Sequence, residues 1–452
     1  MSSVISAIST PYGRGGVALI RVSGKGAIEI CDKIFRGKRP LCEVESNKAV
    51  YGNIVYNGEV IDDGVFTVFR APRSFTGEDT VEICCHGGIL ITQKVLSATY
   101  SAGARPAEAG EFTKRAFANG RISLSEAEAV IDLIDAESSE QLKLARSHAD
   151  GVMTRAIESI REELVSLISQ IYVFVDYPDE DLSDVTPDEA LNRTKSLLAK
   201  AQKLCRSYNT GKIIREGIDT VICGKPNTGK SSLLNVLSGY DRAIVTSVPG
   251  TTRDTVEERI NLGRLTLNLC DTAGIHSTED EVEKLGIERS INKIENAQLT
   301  LAVFDGSRPL DNEDKEVIAR LDPKTSIIII NKGDLGCILS ENDFEGFENT
   351  VYISAKNNEG TDKLTEIVEA MFMSNAIDYS KDAVISNARQ FACAETARTS
   401  LENALSALCD GYTPDVAAME LELALGALSE LDSRKVSEEV VNAIFSRFCI
   451  GK

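Results

Sequence analysis

The chain has 452 residues, with 49 lysines and arginines against 69 aspartates and glutamates, for a net charge of −20. That length exceeds what one hydrophobic core serves and calls for about two to four domains, and the acidic balance argues against strong unaided nucleic-acid binding. No stretch approaches the ~18 apolar residues of a membrane span, no basic-then-apolar leader opens the chain, and eleven cysteines without a Cys-x-x-Cys pair read as reduced thiols rather than disulfides or zinc ligands. The three histidines, His86, His148 and His276, are widely spaced, which argues against a histidine-based metal site or catalytic triad.

The first ~118 residues are strand-rich in pattern, clearest at Val17–Val22, Val65–Phe69 and Val81–Cys85, with Gly13, Gly15, Gly16, Gly24 and Gly77 between them. They hold 14 basic and 12 acidic side chains, so the negative charge lies further on. From about Ser125 the period becomes helical. Ala149, Val152, Ala156, Ile160, Leu164, Leu167 and Ile171 form one apolar stripe expected on a single long helix. Asp176-Tyr177-Pro178-Asp179 breaks it, and a further helix runs through Leu197 and Leu204. Strands and helices alternate from about Ile218 to Met373. Helices then return, with stripes at Leu421, Leu425, Leu428 and Leu431 and at Val440, Ile444 and Phe448. The simplest arrangement is a helical domain assembled from segments before and after an inserted α/β domain whose ends lie close together.

The inserted region carries the chemistry. Gly224-Lys225-Pro226-Asn227-Thr228-Gly229-Lys230-Ser231 follows the apolar run Val221-Ile222-Cys223 and precedes the helical pattern from Ser232, the strand–loop–helix context of a phosphate-binding loop. Its backbone N–H groups would face nucleotide phosphates, Lys230 would reach the β and γ phosphates, and the Ser231 hydroxyl would bind Mg²⁺. Thr251-Thr252-Arg253-Asp254 sits where a first switch belongs, with Thr252 offering Mg²⁺ a second hydroxyl. Asp271-Thr272-Ala273-Gly274 follows the strand pattern Leu265–Leu269. The carboxylate is placed for the Mg²⁺ shell, and Gly274 N–H for the γ-phosphate. Asn331-Lys332-Gly333-Asp334 comes directly after Ile327–Ile330, and Asp334, acceptor-only, suits the N1–H and 2-amino donors of guanine and rejects adenine. Ser354-Ala355-Lys356, after Val351-Tyr352-Ile353, would back the base from the other side. Each motif alone is an ordinary turn after a strand; four in this order make a GTP-binding domain.

Several further segments are specific. They are Thr10-Pro11-Tyr12-Gly13-Arg14-Gly15-Gly16-Val17-Ala18-Leu19-Ile20-Arg21-Val22-Ser23-Gly24, Ser74-Phe75-Thr76-Gly77-Glu78-Asp79, Gly110-Glu111-Phe112-Thr113-Lys114-Arg115-Ala116-Phe117 and the closing Phe448-Cys449-Ile450-Gly451-Lys452. Together with the GTP motifs they closely resemble, from end to end, the MnmE (TrmE) family of bacterial tRNA modification GTPases. The resemblance implies a multidomain α/β and α+β protein, with a Ras-like P-loop G domain inserted into a helical domain and a tetrahydrofolate-binding-type α+β domain before it. The expected parts are 1–118 for folate binding and dimerisation, 119–216 and 375–452 for the two halves of the helical domain, and 217–374 for the G domain.

The family's members hydrolyse GTP in the cytoplasm and act as homodimers. With the FAD-dependent partner MnmG (GidA), in a heterotetramer or larger complex that engages tRNA, they add a carboxymethylaminomethyl-type group to C5 of the wobble uridine. Carried over by motif, GTP would be held by Asn227, Thr228, Gly229, Lys230, Ser231 and Ser232, by Thr246, Ser247, Val248, Pro249, Gly250, Thr251 and Thr252, by Asp271, Thr272, Ala273 and Gly274, and by Asn331, Lys332, Gly333, Asp334, Ser354, Ala355 and Lys356. Potassium ligands match Asn227, Thr246, Thr251 and the Val248 carbonyl, in place of an arginine finger. The catalytic glutamate that orients water matches Glu283; its acidic neighbours Asp280 and Glu281 leave the sequence alone unable to select it. Contacts to a 5-formyl-tetrahydrofolate-type cofactor match Arg21, Glu78, Arg121 and Lys452, and Cys449 belongs to the folate-side chemistry. Two positions depart from the family's pattern: His276 stands where Arg is common after Asp-Thr-Ala-Gly-x, and Arg121 where Lys is also found. A ribosome-assembly GTPase would share the central motifs but would bring a basic RNA-binding appendage, whereas residues 375–452 hold 7 basic and 12 acidic side chains. A regulatory or scaffold GTPase would need neither the folate residues nor Cys449.

Overall fold

The computed structural model describes residues 3–176, 186–239, 256–270, 297–373, 377–431 and 438–452. Two compact units emerge, residues 1–131 with 425–452, and residues 132–424.

The first unit is built on a seven-stranded sheet. Its strands are β1 (Ile5–Ile8), β2 (Val17–Ser23), β3 (Phe35–Gly37), β4 (Lys48–Tyr56), β5 (Glu59–Phe69), β6 (Thr80–His86) and β7 (Arg105–Pro106), in the order β3-β4-β5-β6-β2-β1-β7. The period-two pattern decides the faces. Ala18, Ile20 and Val22 of β2 point inward with Val81 and Ile83 of β6 and Phe66 and Val68 of β5, and meet Ile28 and Cys31 of α1 (Ala27–Ile34) and Val95 and Ala98 of α2 (Ile89–Ala102). The alternate residues, Arg21 and Glu82 among them, stand on the opposite face. Three helices therefore interrupt the strand-rich pattern read from residues 1–118: α1, α2 and α3 (Glu111–Ala118).

The chain's end returns to this unit. Helix α4 (Leu124–Asp135) begins beside α3. Phe445, at the end of the last helix (Glu438–Phe445), and Phe448 close over Leu124 and Ala127. The Phe445 ring lies 6.2 Å from Phe117 and 5.3 Å from Phe448. Phe448 is thus buried from a turn beyond the helix, its N–H donating to the Phe445 carbonyl, and not from a continuing helical stripe with Val440 and Ile444.

In the second unit the stripe expected on one helix from Ala149 is divided. Ala149 ends α5 (Ser139–Ala149), Gly151 turns at φ 73°, and α6 runs Val152–Asp176. The turn preserves the apolar spacing, so the period alone conceals it. Helix α7 (Pro187–Glu216) packs along α11 (Ala388–Cys409), with Tyr208 stacked on Phe391 at 4.3 Å. Segments from before and after the α/β region therefore share one helical layer. Gly217, at φ 86°, ends α7 and feeds directly into the second sheet.

That sheet contains β8 (Ile218–Cys223), β9 (Val256–Leu262), β10 (Leu265–Cys270), β11 (Leu299–Asp305), β12 (Ser326–Asn331) and β13 (Thr350–Tyr352), ordered β13-β12-β11-β8-β10-β9 among the described residues. All pairs are parallel except β9 with β10. Strand β12 is buried at all six positions, as a parallel strand covered on both faces must be. Ile327 and Ile329 face Leu233 and Leu237 of α8 (Lys230–Ser238) and Leu364 and Val368 of α10 (Thr361–Phe372). Ile328 and Ile330 face Phe304 and Phe344 on the other side, where α9 (Asn312–Ile318) also lies. The parallel strands end on the same edge, and there the polar motifs collect. No described helix is long and apolar enough to cross a membrane.

Candidate functional site

The phosphate-binding loop leaves β8 through Gly224 and enters α8 through Gly229, both at positive φ (137° and 100°). A side chain at Gly224 would strike the Val303 carbonyl, and one at Gly229 the Asn331 amide. Both positions require glycine for space as well as for backbone angle. Asn227 also sits at positive φ (62°), exposed at the outside of the loop, a conformation asparagine tolerates better than most residues. Thr228 is buried and donates to the Lys225 carbonyl at 2.9 Å. The Lys230 ammonium donates to the carbonyls of Gly224 (2.8 Å) and Lys225 (2.7 Å), which places its charge across the loop. Ser231 and Ser232 are exposed in the first turn of α8. Backbone donors and a dipole at a helix start, with a lysine at the same place, form an anion cradle.

Asn331 joins the motifs. Its side-chain amide donates to the Thr228 carbonyl (2.9 Å) and its side-chain oxygen accepts from Ala355 N–H (3.0 Å). One buried asparagine therefore fixes the phosphate loop, the turn after β12 and the turn after β13 together. Lys332 follows at φ 65°, Gly333 N–H donates to the Ile353 carbonyl, and the Asp334 carboxylate accepts from Ser354 Oγ at 3.0 Å, with Lys356 Nζ at 3.7 Å. The structure thus brings Asn227–Ser232, Asn331–Asp334 and Ser354–Lys356 to one edge of the sheet. Thr246, Ser247, Val248, Pro249, Gly250, Thr251, Thr252, Asp271, Thr272, Ala273, Gly274, His276 and Glu283 lie outside the described residues.

Lys225 was not singled out by the sequence. Its ammonium meets Asp311 at 2.5 Å and Glu313 at 2.8 Å at the start of α9, and these two hydrogen bonds raise its pKa. It anchors the loop's first half to the neighbouring connection.

The first unit gathers a second set. The Arg21 guanidinium donates from Nε and Nη2 to Glu82 (3.0 and 2.7 Å) and lies 5.6 Å from the Phe75 ring and 5.7 Å from the Phe112 ring. Phe75 belongs to the Ser74–Asp79 loop. Glu78 of the same loop accepts from Arg115 Nη1 at 2.8 Å, and Gly77, at φ 78°, lies against the aliphatic stem of Arg121. Arg21, Glu78 and Arg121 therefore converge on one loop. Lys452 reaches the same unit through the tail: Ile450 bridges Ala109, the Gly451 carbonyl accepts from Ser9 Oγ at 3.0 Å, and Gly451 packs on the Ile8 carbonyl at φ 103°. Ile8 pairs with Ile20, next to Arg21. Cys449 is exposed in the turn before the bridge.

The residue that organises this set is Arg115, which sequence reasoning passed over. With 11% of its side chain exposed, it donates to Glu78, Glu111 and the Ser3 carbonyl. Burial alone would raise the Glu111 pKa, but hydrogen bonds from Arg105, the Glu108 N–H and Arg115 outweigh it, and the carboxyl is held below its ordinary value. The available signal was its place inside the Gly110–Phe117 motif. On the sheet's open face, His86 Nδ1 meets Asp62 at 2.7 Å beside Asp63. This partly buried grouping, in which only His86 is exposed and which the histidine spacing did not suggest, is accounted for by the His86–Asp62 hydrogen bond.

Two family models match the chain. Residues 4–121 match the family model described as GTP-binding protein TrmE N-terminus, and residues 124–449 match that of the MnmE helical domain. A protein of Acetivibrio thermocellus named tRNA modification GTPase MnmE is 42% identical over 99% of this chain and 99% of its own. Relatives of the same name from Carboxydothermus hydrogenoformans and Lactobacillus acidophilus are 42% identical over 100% of both chains, and 40% identical over 99% of this chain and 98% of the relative. With such identity along its whole length, and with both family models matched, the chain belongs to the MnmE family of tRNA modification GTPases.

Proposed function

We propose that this chain is a K⁺-activated GTP hydrolase that works in tRNA modification. With an FAD-dependent partner of the MnmG (GidA) type, it adds a carboxymethylaminomethyl-type group to C5 of the wobble uridine. The observation that carries the reading is Asn331, which binds the phosphate loop and both base-side turns into one site. GTP is held with its phosphates on Asn227–Ser232 and its guanine on Asp334, backed by Ser354, Ala355 and Lys356. Ser231 fits Mg²⁺ through its hydroxyl at the exposed start of α8, with Thr252 as its second hydroxyl. Asn227, an exposed residue at the loop's outer edge, fits K⁺ through its side-chain amide oxygen, to be joined by Thr246, Thr251 and the Val248 carbonyl. Glu283 orients the attacking water. Homodimers form through the N-terminal domain at 1–118. The helical halves at 119–216 and 375–452 flank the G domain at 217–374, and tRNA is engaged through the complex in the cytoplasm.

A 5-formyl-tetrahydrofolate-type cofactor fits the first unit. Arg21 and Arg121 suit the carboxylates of its glutamate tail and Glu78 suits donors on its pteridine ring. Lys452 adds a further positive charge from the tail, and Cys449 takes part on this side of the chemistry. Gly451→Val is expected to lift the tail, because a branched side chain meets the Ile8 carbonyl and the positive φ is lost. Folate affinity measured by calorimetry should fall at least about tenfold, the loss of one charge-assisted contact, while GTP hydrolysis is kept. Unchanged folate binding would place the tail outside the site.

The test of the proposed activity is the steady-state GTPase rate in matched K⁺ and Na⁺ buffers for the unaltered chain and for Asn227→Ala. Stimulation by K⁺ that disappears in Asn227→Ala, with GTP binding retained, is expected. Equal rates in the two salts for the unaltered chain would remove the potassium mechanism.

A further inference from the structure

Asp305 belongs to none of the nucleotide motifs. It is the last residue of β11, in register with Asn331 of β12, and only 11% of its side chain is exposed. One carboxylate oxygen accepts from Ser307 N–H (3.0 Å) and Ser307 Oγ (2.6 Å); the other accepts from Lys332 Nζ at 2.7 Å. Gly306 N–H donates to the Asn331 carbonyl (2.8 Å), and Ile338 N–H, beyond the turn, donates back to the Gly306 carbonyl (2.7 Å). The turn that carries Asp334 is thus held at both ends, by Asp305 before it and by Ser354 after it. Lys332 needs that hold, since φ 65° is a conformation that a lysine seldom adopts unaided.

We infer that Asp305 is a positioning residue for guanine recognition: by holding the Lys332 ammonium it fixes the turn that presents the Asp334 carboxylate to the base. The inference rests on the assignment of Asp334 to the guanine edge. Asp305 does not touch the nucleotide. Its loss lets the turn relax, so the carboxylate no longer sits where guanine's two donors meet it. The 2-amino group then counts for less, and discrimination between guanine and hypoxanthine, which lacks that group, declines. A burial penalty opposes ionisation of Asp305, but the hydrogen bonds from Lys332 and Ser307 prevail and keep its carboxyl below the ordinary range, so the tether persists at neutral pH.

The experiment measures kcat and KM for GTP and for inosine triphosphate in Asp305→Asn, Lys332→Met and the double variant, with Asp334→Asn assayed beside them on GTP and xanthosine triphosphate. Asp305→Asn is expected to raise KM for GTP about tenfold, the scale of one lost charge-assisted hydrogen bond, to raise KM for inosine triphosphate less, and to keep kcat at saturating GTP. The double variant should be no worse than Lys332→Met alone, because the two residues act as one unit. A purely structural ion pair would weaken both nucleotides in equal proportion, and additive losses in the double variant would separate the two residues; either result overturns the inference. If Asp334→Asn prefers xanthosine triphosphate while Asp305→Asn binds GTP like the unaltered chain, the inference fails alone. If Asp334→Asn shows no such preference, the base-pocket assignment fails and takes the inference with it.

Discussion

Lys230→Ala is expected to slow GTP hydrolysis at least about a hundredfold, the cost of removing one preorganised charge from a phosphoryl-transfer site. The ammonium donates to two carbonyls of its own loop, at 2.8 and 2.7 Å, so it is already placed across the cradle before any nucleotide arrives. Alanine removes the charge that the β and γ phosphates would meet and takes the donor away from both carbonyls. Because α8 starts at this position and alanine favours helix, the fold should survive the change. Phosphate release under saturating GTP is the measurement. A rate within about threefold of the unaltered chain, less than one broken hydrogen bond would cost, would mean that the loop does not hold the reacting phosphates.

Asp334→Asn is expected to exchange one nucleotide for another. Ser354 Oγ donates to one oxygen of Asp334 at 3.0 Å, and an asparagine keeps that bond with its carbonyl oxygen. Its NH₂ then stands where the second carboxylate oxygen was. Guanine would present donors to a donor, whereas xanthine offers a carbonyl at C2. Affinity for GTP should fall about a hundredfold or more, the range for a site left with mismatched buried polar groups, and xanthosine triphosphate should bind more tightly than GTP. Equilibrium binding of the two labelled nucleotides checks both directions. Intact GTP selectivity would move the base pocket elsewhere.

The second sheet was legible first at β12, where the continuous apolar run Ile327–Ile330 faces two cores. The phosphate loop and the two base-side turns could be placed because each follows a short apolar strand segment, Val221–Cys223, Ile327–Ile330 and Val351–Ile353. The first unit was less legible. Helix α2, Ile-Leu-Ile-Thr-Gln-Lys-Val-Leu-Ser-Ala-Thr-Tyr-Ser-Ala, carries five β-branched side chains, and its buried positions Thr92, Val95, Ala98 and Thr99 keep helical spacing but include two threonines, so hydropathy shows no clean apolar stripe. The boundary at Gly151 was hidden because the residues on either side keep helical spacing through the turn.

Local motifs name the site residues that act by direct contact, but they do not show the holding role of Arg115 or of Asp305. Arg115 and Asp305 draw their meaning from partners 37 and 27 positions away, Glu78 and Lys332, and the fold alone makes those distances short. The docking of the tail is of the same kind. Ser9 and Gly451 are 442 positions apart, and neither marks the other in sequence. The switch residues and Glu283 lie outside the described residues, and their placement rests on the family's pattern.

The central claim is that GTP hydrolysis by this chain serves modification of the tRNA wobble uridine. It is tested most directly by mass spectrometry of wobble nucleosides from a strain lacking the chain, carrying it unaltered, or carrying Lys230→Ala. The C5-modified uridine should disappear in the deletion strain, return with the unaltered chain and stay absent with Lys230→Ala. An unchanged nucleoside profile in the deletion strain would contradict the account.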